Sequence, residues 1–339
     1  MKYEEIYELL QYNNHKGYES NVYMPNEIFE DLQNYIKNTP HIAFAYSYYY
    51  LITWLYRYCK FSLNNGISNS TIKEILGYSA DTRSINYLIK KNGLLDQIEY
   101  TSTTRDFPVW WNADQIKYEE LEFTLVNEVD NVKDENGEIK KPRNYSYEYS
   151  IEKTYRDSVP KNFTIKYPEK AFARFEDEEG KCEEGTFYKI EYTHNIPFEV
   201  FMYCMSNDDI GCTGFYLYAF LKHKNDIYGD YDISLEDLAI ETGIADRTLD
   251  KYLGMLKSYK MIDFTINQEF FAIGLKKEDR MANTYSTKDY IAFKDKPEAY
   301  DKIKIVKKKD YLKMLEEEEE KKKIVWGEKI DIALEDLPY

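Results

Sequence analysis

Apolar positions along this chain fall into ordered series that imply a small set of elements. In "GFYLYAFLKHKND" Phe215, Leu217, Tyr218 and Leu221 form an apolar run long enough for a buried helix rather than a strand. "SLEDLAIETG" opens on Ser234, an N-cap residue with Asp237 three positions on. It closes on Gly243, which tolerates the left-handed conformation in which helices commonly end. Asp246 then starts "DRTLDKYLGMLKSYK", in which Leu249, Leu253 and Leu256 recur at helical spacing. "MIDFTI" and "EFFAIGL" follow, separated by Asn267-Gln268, and predict a β-hairpin.

A short helix, a turn containing glycine and a third helix make a helix-turn-helix, and with a following hairpin they make a winged helix. The same series stands earlier in the chain. "MPNEIF" at Met24 to Phe29 matches "IPFEVF" at Ile196 to Phe201, and Tyr50, Leu51 and Leu55 match Tyr216, Leu217 and Leu221. Ile67, Ser68, Ile72 and Gly77 match Ile233, Ser234, Leu238 and Gly243 at that same offset. Repetition in order predicts a duplicated unit of roughly 80 residues, a size at which domains fold. The first copy would then hold helices at about 42–61, 70–76 and 81–92, and a wing from "LLDQIEYTS" to "FPVWW" with Arg105 in its turn.

Between the copies the pattern changes to alternation, in "YEELEFTLVNEV", "YSYEYSIEKTY", "FTIKY" and "TFYKIEY", with turn signals at "DENGE" and "EEGK". A strand-rich connector is expected there. From Lys296 the chain reads as helix, and Glu317, Glu318 and Glu319 each precede a lysine by four, the favourable orientation for intrahelical pairs. The expected fold class is α+β: tandem duplicated winged helix-turn-helix domains joined by a strand-rich connector, with a helical C-terminal tail. The expected divisions are an N-terminal helix in 1–23, a first winged helix in 24–112, the connector in 113–195, a second winged helix in 196–280 and a charged helical tail in 281–339.

Composition narrows the function. With 339 residues, 43% of them hydrophobic, the chain can bury about two cores. Its 45 basic against 61 acidic side chains argue against a non-specific nucleic-acid coat, so any nucleic-acid contact must be local. Cys59, Cys182, Cys204 and Cys212 form no C-x-x-C pair and read as reduced, structural thiols. "MKYEEIYELL" has acidic residues where a signal peptide carries basic ones, and no run reaches the roughly 20 apolar residues of a membrane span. A cytoplasmic protein without a membrane partner is the expectation. The 35 tyrosines, alongside frequent Lys, Asn, Ile and Glu, read as the bias of an A·T-rich genome.

The stretch from Gly214 to Ile273 resembles the winged-helix domains of phage replisome organisers and plasmid replication initiators of low-GC Gram-positive bacteria. Those domains carry a recognition unit of the form "LAxxxGxSxRTLxxxLxxLxxxGLI". Here Leu238-Ala239, Gly243, Arg247-Thr248-Leu249, Leu253, Leu256 and Met261-Ile262 stand in its places, with Lys260 where the glycine is usual. In the first copy Arg83-Ser84-Ile85 stands for Arg-Thr-Leu, and Gly93-Leu94-Leu95 supplies the ending. The resemblance implies binding of double-stranded DNA at origin repeats and recruitment of host replication proteins through the tail or connector.

The third helix of a helix-turn-helix enters the major groove with its N-terminal residues at base edges. With the leucines turned inward, Arg247, Thr248, Asp250, Lys251 and Lys257 face out, and in the first copy Thr82, Arg83, Asn86, Lys90 and Lys91 do so. Arginine can bridge guanine and asparagine adenine in bidentate fashion, so Arg247, Arg83 and Asn86 are expected to carry specificity, while lysine and threonine hold phosphates. Asp250 could accept from cytosine N4 or orient Arg247. Lys140-Lys141-Arg143, Lys276-Lys277 and Lys302 to Lys309 are further basic clusters able to follow a DNA backbone.

No phosphate loop of the form G-x-x-x-x-G-K-(S/T) is present, and the four histidines, His15, His41, His194 and His223, have no paired metal-ligand spacing. A non-enzyme without a cofactor is expected. Two further functions fit the same elements: a transcriptional regulator of a mobile element whose connector serves as a homodimer or effector surface, and a protein-binding adaptor whose acidic winged helices have lost DNA contact.

Overall fold

A computed structural model of the chain describes residues 1–12, 19–111, 123–127, 159–171, 173–176, 182–184, 192–272 and 280–335. The architecture is mixed helix and strand, α+β. The first half runs α1 (Tyr3–Leu10), β1 (Asn21–Pro25), α2 (Ile28–Tyr35), α3 (Thr39–Arg57), α4 (Asn69–Ile75), α5 (Asn86–Ile89), α6 (Leu94–Gln97), β2 (Ser102–Thr104) and β3 (Pro108–Trp111). Then come β4 (Phe123–Leu125), β5 (Ile165–Tyr167), β6 (Ala173–Glu176), β7 (Cys182–Glu184) and β8 (Thr193–Pro197). The second half holds α7 (Phe198–Met205), α8 (Gly211–Tyr228), β9 (Tyr231–Ile233), α9 (Leu235–Thr242), α10 (Asp246–Ser258), β10 (Ile262–Thr265), β11 (Phe270–Ala272), β12 (Asn283–Thr287), β13 (Lys304–Val306) and α11 (Lys308–Glu335).

The two stretches that the sequence pattern pairs, called the first and second copy below, meet at β1 and β8. β1 pairs antiparallel with β8, and Tyr23 and Asn195, which are equivalent positions, face one another. Exchanging the copies turns the pair Val22–Ile196 into the pair Met24–His194, so the ladder has the symmetry of a local two-fold. α3 packs against α8 beside that axis. Every residue of α3 from Ile42 to Arg57 is buried, as expected of a helix apolar on all sides.

The buried tyrosines are used. Tyr46 meets His194 Nε2 at 2.8 Å, Tyr48 donates to Asn69, Tyr50 to the Ile196 carbonyl and Tyr58 to the Asn21 carbonyl. Tyr50 also stacks on Phe201 at 5.1 Å and meets Phe215 edge-on at 5.0 Å. Each ring thus adds apolar contact to the core while its hydroxyl avoids the cost of an unmade hydrogen bond.

In the second copy the helices lie where the pattern puts them. Ser234 Oγ accepts from the Asp237 amide at 3.0 Å, and α9 ends on Gly243 at φ +65°. The strands differ. β10 does not pair with β11 but with β12, and β12 in turn pairs with β9, in the order β10–β12–β9. β11 pairs in parallel with β13. The expected helical tail over 281–339 therefore begins with a sheet strand and a 3₁₀ turn at Tyr290–Ala292, and its helix starts only at Lys308. Central position in the sheet selects β12: Tyr285 is fully buried there, in a stretch whose alternation is too short to stand out in the sequence.

The first copy departs further. The helix expected at 81–92 is replaced by turns and the single helical turn α5. Lys73, 6% exposed on α4, explains this: its ammonium donates to the carbonyls of Ala80 and Thr82 and to Asn86 Oδ1, at 3.3, 2.8 and 2.7 Å. Those carbonyls serve a buried cation instead of a helix ladder. The expected wing is also not a hairpin. Residues 94–97 are helical, β2 pairs with β5 from the expected connector, and β3 pairs with β4. β5 is followed by a 3₁₀ turn at Glu169–Ala171, as β12 is by its own. Of the connector's other expected strands, "YSYEYSIEKTY" and most of "TFYKIEY" lie outside the described residues.

Candidate nucleic-acid interface

α10 is the element whose sequence, exposure and neighbours best suit contact with a groove. Leu249, Leu253 and Leu256 are buried, which turns Arg247, Asp250 and Lys251 to solvent and leaves Thr248 half-buried. Arg247 lies in the first turn, where free amides and the helix dipole favour an anion. Asp246 and Asp250 share this surface, so its formal charge is balanced. The turn before it is fixed by the other copy: Thr39 donates to the Gly243 carbonyl at 2.8 Å, and a Cβ at Gly243 would stand 2.9 Å from Gln33.

Lys257 does not face out with the others. Its ammonium lies 4.3 Å from the ring centre of Phe264, 5.4 Å from Tyr285 and 5.9 Å from Tyr300, and burial pushes its pKa down to about 8. Phe264 on β10 and Tyr285 on β12 supply the two nearer rings, and the segment 294–301 supplies the third. That segment is tied across the end of α10 by the Lys294 amide to Tyr259 and the Glu298 amide to Ser258, and it lays Tyr300 over Gly254. Sequence reasoning missed Tyr300 because it stands far along the chain in a stretch without periodicity. An open cleft of about 540 Å³ runs beside it, lined by Lys260, Phe264, Thr265, Ile266, Ala299, Tyr300 and Asp301. Lys260 sits at φ +55°, a conformation for which glycine is usual at this position.

Two cations of the neighbouring segments are paired, Arg280 with Glu236 at 2.5 Å and Lys288 with Asp263 at 2.8 Å. Lys276-Lys277 and Lys140-Lys141-Arg143 lie outside the described residues.

The structure does not bring the first-copy set onto a helix face. Thr82 and Arg83 precede α5, Asn86 is engaged by Lys73, and Lys90 and Lys91 follow the helical turn, exposed. The Lys90 carbonyl accepts from Lys166, and Arg105 is exposed between two strands that do not pair with each other.

Between the copies a second cleft, of about 330 Å³, is lined by Asn26, Glu27, Phe29, Glu30, Gln33, Asn34, Phe220, His223, Lys224 and Glu241. His223 stacks on Phe29 at 5.4 Å. Burial, with Lys224 beside it, lowers its pKa to about 4 against the pull of Asp226 and Glu241.

Cys59, Cys204 and Cys212 are buried free thiols. Among the described residues, no group of three His, Cys, Asp or Glu side chains is placed to hold a metal ion, and no helix is long and apolar enough to cross a membrane. No protein-family model matches the chain, and no curated protein or solved structure does so.

Proposed function

We propose that this chain is a sequence-specific double-stranded DNA-binding protein that reads its site through the N-terminal turns of α10. One observation carries the reading. α8, β9, α9, α10, β10 and β12 follow in the order of a winged helix, with β12 between β10 and β9, and the first turns of α10 are left exposed with Arg247 and Lys251 on them. The resemblance of the same residues to replication initiators and replisome organisers makes origin repeats the preferred target, with host replication proteins as partners.

The proposal differs from the sequence expectation in having one reading head per chain. α5 is a single turn, and Thr82, Arg83 and Asn86 are not presented on it.

An adaptor reading has its own support. Ile240 is 72% exposed and Leu235 42% exposed on α9, beside a charge-balanced α10 surface. Footprinting on the DNA flanking the protein's own gene separates the readings. Protection of repeated elements supports an initiator, one protected promoter site supports a transcriptional regulator, and absence of protection at low salt refutes DNA reading and supports the adaptor.

A further inference from the structure

The two-fold of the β1–β8 ladder extends beyond the strands. The Phe198 amide donates to the Ser20 carbonyl at 2.7 Å, and the equivalent amide, of Asn26, donates to the equivalent carbonyl, of Tyr192, at 3.0 Å. Glu199 and Glu27 follow as an equivalent pair, and Trp54 on α3 with Phe220 on α8 is another. Around Phe198, Glu199 and Trp54 the space is filled. α1 lies on α7, and Tyr12, which follows α1, has its ring centre 5.3 Å from Phe198 and 6.3 Å from Trp54. Its hydroxyl donates to Glu199 at 2.6 Å, and the residue is buried.

Around their equivalents Asn26, Glu27 and Phe220 the space is open, and it is the cleft of about 330 Å³ between the copies. Its described lining comes from α2 with the turn before it, from α8 and from α9, and none of it from a helix equivalent to α1. The fold thus makes two related seats for a helix with a following tyrosine and fills one of them. Charge says what suits the second. Glu27, Glu30 and Glu241 line it against one ammonium, Lys224, which is itself held by Glu241 at 2.7 Å. Lys170 reaches Glu27 at 3.8 Å, but it brings Asp31 with it and leaves the acidic excess unchanged. On the filled side the equivalents of Glu30 and Glu241 are Met202 and Ile75, both buried. α1 carries Glu4, Glu5 and Glu8, so the α1 of a second copy would meet like charge in the open seat.

We propose that the cleft between α2, α8 and α9 is a docking seat for a partner protein, which enters it with a basic amphipathic helix followed by a tyrosine. The partner helix lies on α2 as α1 lies on α7, an amphipathic helix in a groove. Its lysines or arginines face Glu30 and Glu241, and its tyrosine enters beside Phe220 with the hydroxyl donating to Glu27. Tyr192, 68% exposed at the position equivalent to Ser20, stands at the rim and adds an aromatic contact for the incoming chain. The inference does not rest on the DNA reading.

The test uses the full chain and a labelled peptide of residues 1–12 that carries Glu4→Lys, Glu5→Lys and Glu8→Lys. Fluorescence anisotropy at low salt should show it binding at least about 10-fold more tightly than the unchanged peptide, with the difference shrinking as salt rises. Glu30→Lys in the protein should weaken the basic peptide by at least about 5-fold. Glu316→Lys, which makes the same charge change on the exposed face of α11, should leave it as in wild type. A second form of the peptide, with benzoylphenylalanine at position 12, should photocrosslink to α2 or α8 when the products are mapped by mass spectrometry. Equal binding of the two peptides, equal effects of Glu30→Lys and Glu316→Lys, or crosslinks absent from α2 and α8 would each overturn the proposal. Crosslinks on α7 or α3 would do so too, since the peptide would then have displaced α1 from the filled seat.

Discussion

Replacing Asp96 by alanine tests whether β5, a strand of the expected connector, is an integral part of the first copy. Lys166 on β5 is 4% exposed and reaches Asp96, itself 11% exposed, at 2.6 and 2.7 Å, with the Lys90 carbonyl at 3.0 Å. Asp96 also accepts from the hydroxyls of Thr101 and Thr103 and from the Asn92 amide. Burial lowers the pKa of Lys166, and Asp96 draws it back up. Without the carboxylate a buried ammonium keeps one carbonyl, and three donors lose their acceptor. Breaking a buried pair from one side costs about 3–5 kcal/mol. For a chain of 339 residues that lowers Tm by about 4–7 °C, at roughly 1.4 °C per kcal/mol. Denaturant midpoints and calorimetry on Asp96→Ala would be read beside Asp263→Ala, whose partner Lys288 is 30% exposed and which should lose under about 1 kcal/mol. Asp96→Leu with Lys166→Met should recover the part of the loss that the buried ammonium causes, while Asn92, Thr101 and Thr103 still lack their acceptor. Equal small losses in Asp96→Ala and Asp263→Ala would refute the argument that β5 closes the first copy.

Arg247→Ala should cost about 1–3 kcal/mol on the protected DNA and relax preference at one base pair, whereas Arg83→Ala should change neither; binding to a library of site variants would show the reverse if the first copy were the reader. His223 should make the protein acid-sensitive. The unfolded state takes up its proton near pH 6.5 and the folded state only near pH 4, so stability falls as pH drops through that window and levels off below it. His223→Gln should flatten this part of the denaturation profile, and an identical slope in both proteins would contradict the assignment. Lys257, at about 8 when folded against 10.5, is protonated more readily in the unfolded chain between those values, so wild-type stability gains as pH rises from 8 to 10. Lys257→Met should therefore be at least as stable as wild type at pH 7, with the gap closing by pH 10; a less stable variant at pH 7 would mean the rings hold the charged form better than water does.

Local pattern carried the second copy's helices. Ser234, Gly243 and the spacing of Leu249, Leu253 and Leu256 act within one or two turns of chain, and the backbone obeys them wherever the tertiary environment agrees. The apolar run of α3 was legible for the same reason. Strand partners were not. β2 with β5, β10 with β12 and β11 with β13 are joined across long separations, and an alternating segment states which face it buries without naming its neighbour. At two places distant contacts overrode the local pattern. Lys73 took the carbonyls of Ala80 and Thr82 where a helix at 81–92 was expected, and Phe264, Tyr285 and Tyr300 enclose Lys257, which the pattern placed facing out. In both places a buried charge had to be satisfied by whatever the fold brought near it, and that is decided by packing between segments rather than by spacing within one.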